Sequence, residues 1–160
     1  MLVPVEISSF AADTQMGTPL VVLKESGGVR TIAVPLDLAA ANAIAMHSLQ
    51  VEVDKPFAID LVKIAVEQLG GTLYRVVISD VTDEGVFSSY IIIRAGMSLK
   101  VIDCRPSDAV ALAVKCDAPV FVRDDVFAKL NSPKGQTEAE QLRERVRAID
   151  TVDFGKYVLE

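Results

Sequence analysis

The sequence predicts an α+β fold: one domain built from an internally duplicated strand-strand-strand-helix unit, with a helix appended at its C-terminus. Three observations lead there. The chain has 160 residues, 51% of them hydrophobic, enough to bury one core and typical of a single domain. The two halves present the same order of elements at an offset of about 70 residues, too long for a solenoid repeat and suited to two fused half-units. Finally, a linker-like NSPKGQ at 131–136 precedes Thr137 and Glu140, the T-x-x-E capping box that opens a helix. The division is therefore a domain over 1–130 and a linker with a helical extension over 131–160.

Residues 2–9 and 18–24 read as strands, and SGG at 26–28 is a turn before a third strand, VRTIAV at 29–34. From Asp37, DLAAANAIAMHSLQ has small and apolar residues on every side. An alanine-rich segment with Asp at its start predicts a buried helix. After VEVDKP, the stretch FAIDLVKIAVEQLGG spaces Leu61, Ile64, Ala65, Gln68 and Leu69 as one helical face and stops at Gly70 and Gly71. The second half repeats the order. Strands are predicted over 72–81, 86–94 and 99–103, followed by a helix from the RPSD at 105–108. VEIS at 5–8 aligns with VVIS at 76–79, and AANAIA at 40–45 with DAVALA at 108–113. PVFV at 119–122 adds a short strand and RDDVFAKL a short helix. In the extension, Ala139, Leu142, Val146 and Ile149 recur at steps of three and four, a narrow stripe fit to pack on the domain or on a second copy. With Phe154 and Tyr157 beyond it, the stripe points to a homo-oligomer, in its simplest form a dimer.

Bulk properties narrow the function. The net charge of -6 argues against a protein that coats nucleic acid through a basic face. It leaves room for a nuclease, whose acidic site meets its substrate through metal ions and a few local cations. No apolar run approaches the ~20 residues of a membrane span, and MLVPVEISSF lacks the basic start and long apolar stretch of a secretory signal. The expectation is a cytoplasmic protein that makes no use of the membrane. Cys104 and Cys116 form no CxxC pattern and read as reduced thiols. His47, the single histidine, has no second His with which to share a metal and reads as structural.

The chemistry-bearing residues gather around IDCRPSDAVALAVKCDAP at 102–119. Proline suits the first turn of a helix, and Ser and Asp offer oxygen acceptors to its free amides. RPSD is thus a complete helix start without any function. Arg105 is surplus to that task. A strand-to-helix corner with free amides is an anion site that a guanidinium would reinforce, and the competing reading is an ion pair with Asp103, Asp108 or Asp60. Metal-assisted hydrolysis of a phosphodiester needs carboxylates converging on Mg²⁺ or Mn²⁺ and a cation for the developing charge. Asp60, Asp103 and Asp108 are the candidate ligands. Ser107 is a nucleophile only with a base beside it. The first half lacks this corner, because Ala40 stands where Asp108 stands.

TPLVVLKESGGVRTIAV, KPFAIDLVKIAVEQLGG, VVISDV and above all IDCRPSDAVALAVKCDAPVFV resemble the bifunctional nuclease (BFN) domain family across roughly residues 3–130. The resemblance implies an α+β fold with an internal duplication and hydrolysis of both RNA and DNA. By matching position it carries over Asp60, Asp103, Arg105, Ser107 and Asp108. One segment departs from the family pattern. Where the family tends to read Arg-Pro and then Thr-His-Asp-Leu, this chain reads KPFAIDL, so Ala58 and Ile59 replace Thr and His while Asp60 stays. The resulting expectation is a nuclease in which Asp60, Asp103 and Asp108 hold Mg²⁺ or Mn²⁺ and Arg105 stabilises the phosphorane, with Asp60, Arg105, Ser107 and Asp108 as the catalytic set. The alternative is a noncatalytic regulatory module that binds an anion or a partner at the same corner.

Overall fold

A computed structural model describes residues 1–149 and 153–155 of the chain. Every strand expected in the first half forms: β1 (Leu2–Asp13), β2 (Thr18–Glu25) and β3 (Thr31–Pro35) make an antiparallel meander. Alternation drives β1 at its start, where Val3 and Val5 are buried and Pro4 and Glu6 exposed. The helix α1 (Leu38–Ser48) follows, with Asp37 as its N-cap, and it buries Ala40, Ala41, Ala43, Ile44 and Ala45. Then come α2 (Ala58–Gln68), a second meander of β4 (Gly71–Val81), β5 (Phe87–Ala95) and β6 (Ser98–Cys104), and α3 (Pro106–Cys116). The chain continues through β7 (Val120–Arg123) and α4 (Asp124–Leu130).

The strands of the described residues join one mixed sheet of eight, seven of them in the order β3-β2-β1-β7-β4-β5-β6 and the eighth, in the C-terminal segment, paired with β1 off that path. The two meanders therefore flank β7 in mirrored order, with β7 antiparallel to β1 and parallel to β4. The core lies between the sheet and the helices. Val76, Ile78, Ile91 and Val122 from the strands meet Ile44 of α1, Val110 of α3 and Phe127 of α4. Alanines at 109, 111 and 113 of α3 are all buried. Their small size lets α1 and α3 approach closely and pack against each other. This contact brings the starts of the two helices side by side.

The C-terminal segment differs from the single helix expected from Thr137. Its helix, α5 (Pro133–Arg145), begins inside the expected linker, where Ser132 Oγ accepts the Gly135 amide at 3.2 Å. Gly135 is required there, since an added Cβ would sit 2.6 Å from the Leu130 carbonyl oxygen. Thr137 instead bonds back to the Pro133 carbonyl. The helix ends at Arg145, and Val146–Ile149 forms a strand, β8, paired with the second half of β1. The proposed stripe of Leu142, Val146 and Ile149 is thus split between a helix and a strand. A spacing of three residues fits a helix face, but the open edge of β1 offers hydrogen bonds that a lone short helix does not. Phe154 is buried and stacks on Phe10 with ring centroids 4.3 Å apart, so it serves this chain's own core. Tyr157 and the side chain of Ala139 lie outside the described residues.

Candidate functional site at the paired helix starts

Arg105 is the N-cap residue of α3, and Pro106 fills the first helical position. The capping expected from Ser107 and Asp108 does not occur, as no side chain of this start bonds a backbone amide. Asp108 points instead at Arg105. Its Oδ2 accepts from Nε at 2.8 Å and its Oδ1 from Nη2 at 3.1 Å, a bidentate pair three residues apart on one helix face. The remaining arm of the guanidinium reaches across to α1, where Nη1 lies 2.8 Å from Asp37 Oδ2. Asp37 does two jobs, because its Oδ1 also caps α1 by accepting the Ala40 amide at 2.8 Å. Arg105 is therefore clamped between two carboxylates at the junction of two helix starts.

The site is open. The side chain of Arg105 is 66% exposed, with Asp37 at 34% and Asp108 at 31%. The hydrogen bonds that the guanidinium donates to Asp108, and then the charges of Asp108 and Asp37, hold it more firmly protonated than usual. Asp103, at the end of β6, is exposed two residues before Arg105. Burial pushes the neighbouring Cys104 thiol up, the Ser89 hydrogen bond opposes that, and the charges of Asp108 and Asp103 add to it. The fields of Asp103 and Asp108 thus overlap at the strand-to-helix corner.

Two of the sequence candidates are elsewhere or enclosed. Asp60 sits in the first turn of α2, where it accepts from the Phe57 amide and pairs with Lys115 Nζ at 3.0 Å. Lys115 is in the last turn of α3, seven residues past Asp108 and about 10 Å further along the helix axis at ~1.5 Å per residue. Asp60 therefore ties α2 to the far end of α3. Lys63 reinforces that tie through the Lys115 carbonyl at 3.0 Å. Ser107 is buried and has no hydrogen-bonded base among the described residues. Among the described residues no group of three or more His, Cys, Asp and Glu side chains is placed to hold a metal ion. Ile59, at the position where the resemblance has a histidine, packs against the core.

Asp37 is the residue that sequence reasoning assigned only to a helix start. A signal was present: Asp37 precedes Ala40 by the same three residues that separate Arg105 from Asp108. Superimposing the two helix starts by that offset would have set Asp37 beside Arg105 as its counterpart. The two carboxylates it contributes to, with Asp108, supply hard oxygen donors that already share one cationic group.

No helix among the described residues is long and apolar enough to cross a membrane. In comparisons with known proteins, the profile described as "Bifunctional nuclease domain" matches residues 21–134, a span from β2 to the start of α5. Two curated relatives in Mycobacterium tuberculosis are similar over nearly their whole length: uncharacterized protein MT1877 of strain CDC 1551 / Oshkosh and uncharacterized protein Rv1829 of strain ATCC 25618 / H37Rv. Each is 26% identical over 154 residues, covering 96% of this chain and 92% of the relative. The profile covers well over half of the chain and includes both helix starts, all of α2 and all of α3; this chain belongs to the bifunctional nuclease domain family.

Proposed function

We propose that the chain is a cytoplasmic nuclease that binds and hydrolyses phosphodiester bonds of RNA and DNA at the Arg105 corner. One observation carries the reading: a solvent-open guanidinium stands at the junction of two helix N-termini, held there, among the described residues, by Asp37 and Asp108. Helix N-termini each present about half a positive charge and favour anions. A cation at that place is held against both helix ends, and the two carboxylates occupy the position an anionic ligand would take. A phosphodiester exchanges for them readily, because its oxygens accept from the same fork of donors. Free thiols at Cys104 and Cys116 support a reducing compartment.

In this reading Arg105 turns its Nη groups to the nonbridging phosphate oxygens and stabilises the charge that grows on them during attack. Asp108, released from the bidentate pair, accepts the proton of the attacking water as its oxygen bonds to phosphorus; the P–O bond to one sugar breaks and the departing oxygen takes its proton from solvent, while Asp37 keeps the start of α1 in place through its bond to the Ala40 amide. Asp37 and Asp108 would hold Mg²⁺ or Mn²⁺, with Asp103 close by; such an ion supplies Lewis-acid polarisation of the phosphate and a more acidic water. Asp60 belongs to the scaffold, and Ser107 to the buried side of α3.

A second reading rests on the same resting state. Both carboxylates are already satisfied by Arg105, as in a latch that fastens α1 to α3 and releases for an anion without chemistry. Cleavage of labelled single-stranded RNA and DNA by highly purified protein, in Mg²⁺, in Mn²⁺ and in chelator, separates the two. The nuclease reading expects metal-dependent cleavage that Asp108→Asn abolishes. Binding without cleavage makes the corner a noncatalytic module.

A further inference from the structure

The sheet has two faces, and the core helices use one of them. Ile44 of α1, Val110 of α3 and Phe127 of α4 share a core with Val76, Ile78 and Ile91, and Ile59 of α2 packs against it. Strand alternation turns the intervening residues of β4 and β5 the other way. Register sets Arg75 beside Ile92, and Val77 between Tyr90 and Phe121. Arg94, two residues past Ile92 on β5, shares that face. Tyr74 is the extra residue of a bulge between Leu73 and Arg75, a device that re-aims a side chain. Its ring carries the guanidiniums of Arg75 at 5.0 Å and Arg94 at 4.2 Å. Arg75 also lies 5.7 Å from the Phe121 ring. Two arginines and two rings thus form a band across β5, β4 and β7.

Arg30, Arg105 and Arg123 each have a carboxylate partner. Among the described residues, Arg75 and Arg94 have none; both lie on rings instead. Stacking occupies the flat of a guanidinium and leaves its N–H edge to donate in plane. Arg94 is exposed, and Tyr74, Arg75, Tyr90 and Phe121 are half-buried. We propose that this sheet face holds a single strand of RNA or DNA, with phosphates on Arg75 and Arg94 and bases on the rings of Tyr74, Tyr90 and Phe121. Charge and shape favour that ligand. A single strand offers an anion and an open planar face at every nucleotide, the pair of groups that such a surface takes. An acidic peptide matches the arginines and leaves the rings without a planar partner. A duplex keeps its base faces in its own stack, and a chain of net charge -6 lacks the broad basic surface that duplex binding draws on. The inference rests on the nuclease reading for the class of ligand and adds where and in what form it is held. β6 leads from the band to the corner. Leu99 pairs with Arg94, and Asp103, four residues and about 13 Å further along the strand, precedes Arg105 by two residues.

Fluorescence anisotropy of a labelled single-stranded oligonucleotide of about 15 nucleotides, in chelator, reads binding by the full chain without cleavage. The wild type should bind the strand more tightly than the same sequence as a duplex, and polyglutamate should not displace it. Arg94→Glu, at an exposed position, and Tyr74→Ala should each weaken binding by on the order of 10-fold or more. Tyr74→Phe keeps the ring and should bind like the wild type. Thermal unfolding of each variant shows that it is folded. Absence of binding by the wild type overturns the proposal, and so does unchanged affinity in Arg94→Glu and Tyr74→Ala. Displacement by polyglutamate, tighter binding of the duplex, or an equal loss in Tyr74→Phe and Tyr74→Ala does the same. Cleavage assays in Mg²⁺ and Mn²⁺ keep the two readings apart. Cleavage by the wild type with binding indifferent to these variants removes the sheet face and leaves the corner. Binding lost in the variants, with no cleavage in either metal, supports the sheet face and removes the chemistry.

Discussion

At the start of α1 the capping residue is an acid, and its carboxylate takes the Ala40 amide. At the start of α3 the same position holds Arg105, which takes no amide and reaches outward to two acids. Three residues on, the first helix has a buried alanine and the second an exposed-edge aspartate. The same backbone device thus carries a self-sufficient cap in one unit and a displaced charge in the other. A positive group at a positive helix end is unfavourable, and here it is offset by Asp108 of the same helix and by Asp37 at the start of the other. The arrangement that costs local stability is the one that leaves a guanidinium facing solvent.

Transferring one unit's residue to the other breaks this comparison most severely. Ala40→Asp gives the first helix the acid of the second, but position 40 is fully buried, and an unpaired carboxylate there should cost about 3 kcal/mol or more. The reciprocal Asp108→Ala, at an open position, should stay within about 1 kcal/mol. Thermal unfolding of both variants reads the contrast, and equal losses would mean that the two starts are not packed differently. A stricter test of the shared architecture is superposition of β1-β2-β3-α1 on β4-β5-β6-α3 in experimental coordinates. Matching strand directions and helix positions support a duplication, and a mismatch removes it.

Asp37→Ala comes next. It deletes a cap and one of the two acids that hold Arg105, and caps of this kind contribute about 1 kcal/mol. Asp108→Asn keeps its shape and removes no cap, so its urea midpoint should shift less than that of Asp37→Ala. An inverted order would make Asp108 the structural acid. Asp60→Asn should lower stability by loosening the Lys115 tie while leaving any cleavage rate unchanged, since that pair is at the other end of α3.

The smallest effect lies away from both starts and serves as a control. The Arg30 hydrogen bond holds the Glu25 carboxyl below its ordinary value of 4.5, and the Lys129 hydrogen bond does the same for Asp80 below 3.8. A depressed folded-state value means that the folded form binds fewer protons. The stability these groups contribute is therefore present above those ordinary values and lost as pH falls below them. Arg30→Gln and Lys129→Gln should flatten the acid limb of a stability profile slightly and leave neutral pH behaviour at the Arg105 corner untouched.

Most of the fold is legible in the sequence because alternation and turn residues are local. The SGG turn, the Gly70 stop and the alanine-rich helices each announce themselves within a few positions. The C-terminal segment is not legible in that way: Val146 and Ile149 fit a helical stripe, and only the unpaired stretch of β1 makes them a strand. The candidate site divides likewise. Arg105 and Asp108 are sequence neighbours and their pairing is local. Asp37 joins them, and Asp60 leaves them, through packing of α1 and α2 against opposite ends of α3, which no spacing along the chain encodes.

On the proposed function, Arg105 is a ligand group held in reserve and not a structural bolt. That role is tested most directly by comparing Arg105→Gln with the wild type in two assays on the same preparations, cleavage of a single-stranded oligonucleotide and thermal unfolding. The account predicts metal-dependent cleavage by the wild type, a fall of about 100-fold or more in the variant, and an unfolding temperature that hardly moves because the guanidinium is 66% exposed. Cleavage undiminished in the variant, or a cooperative loss of the fold with Arg105, would contradict it.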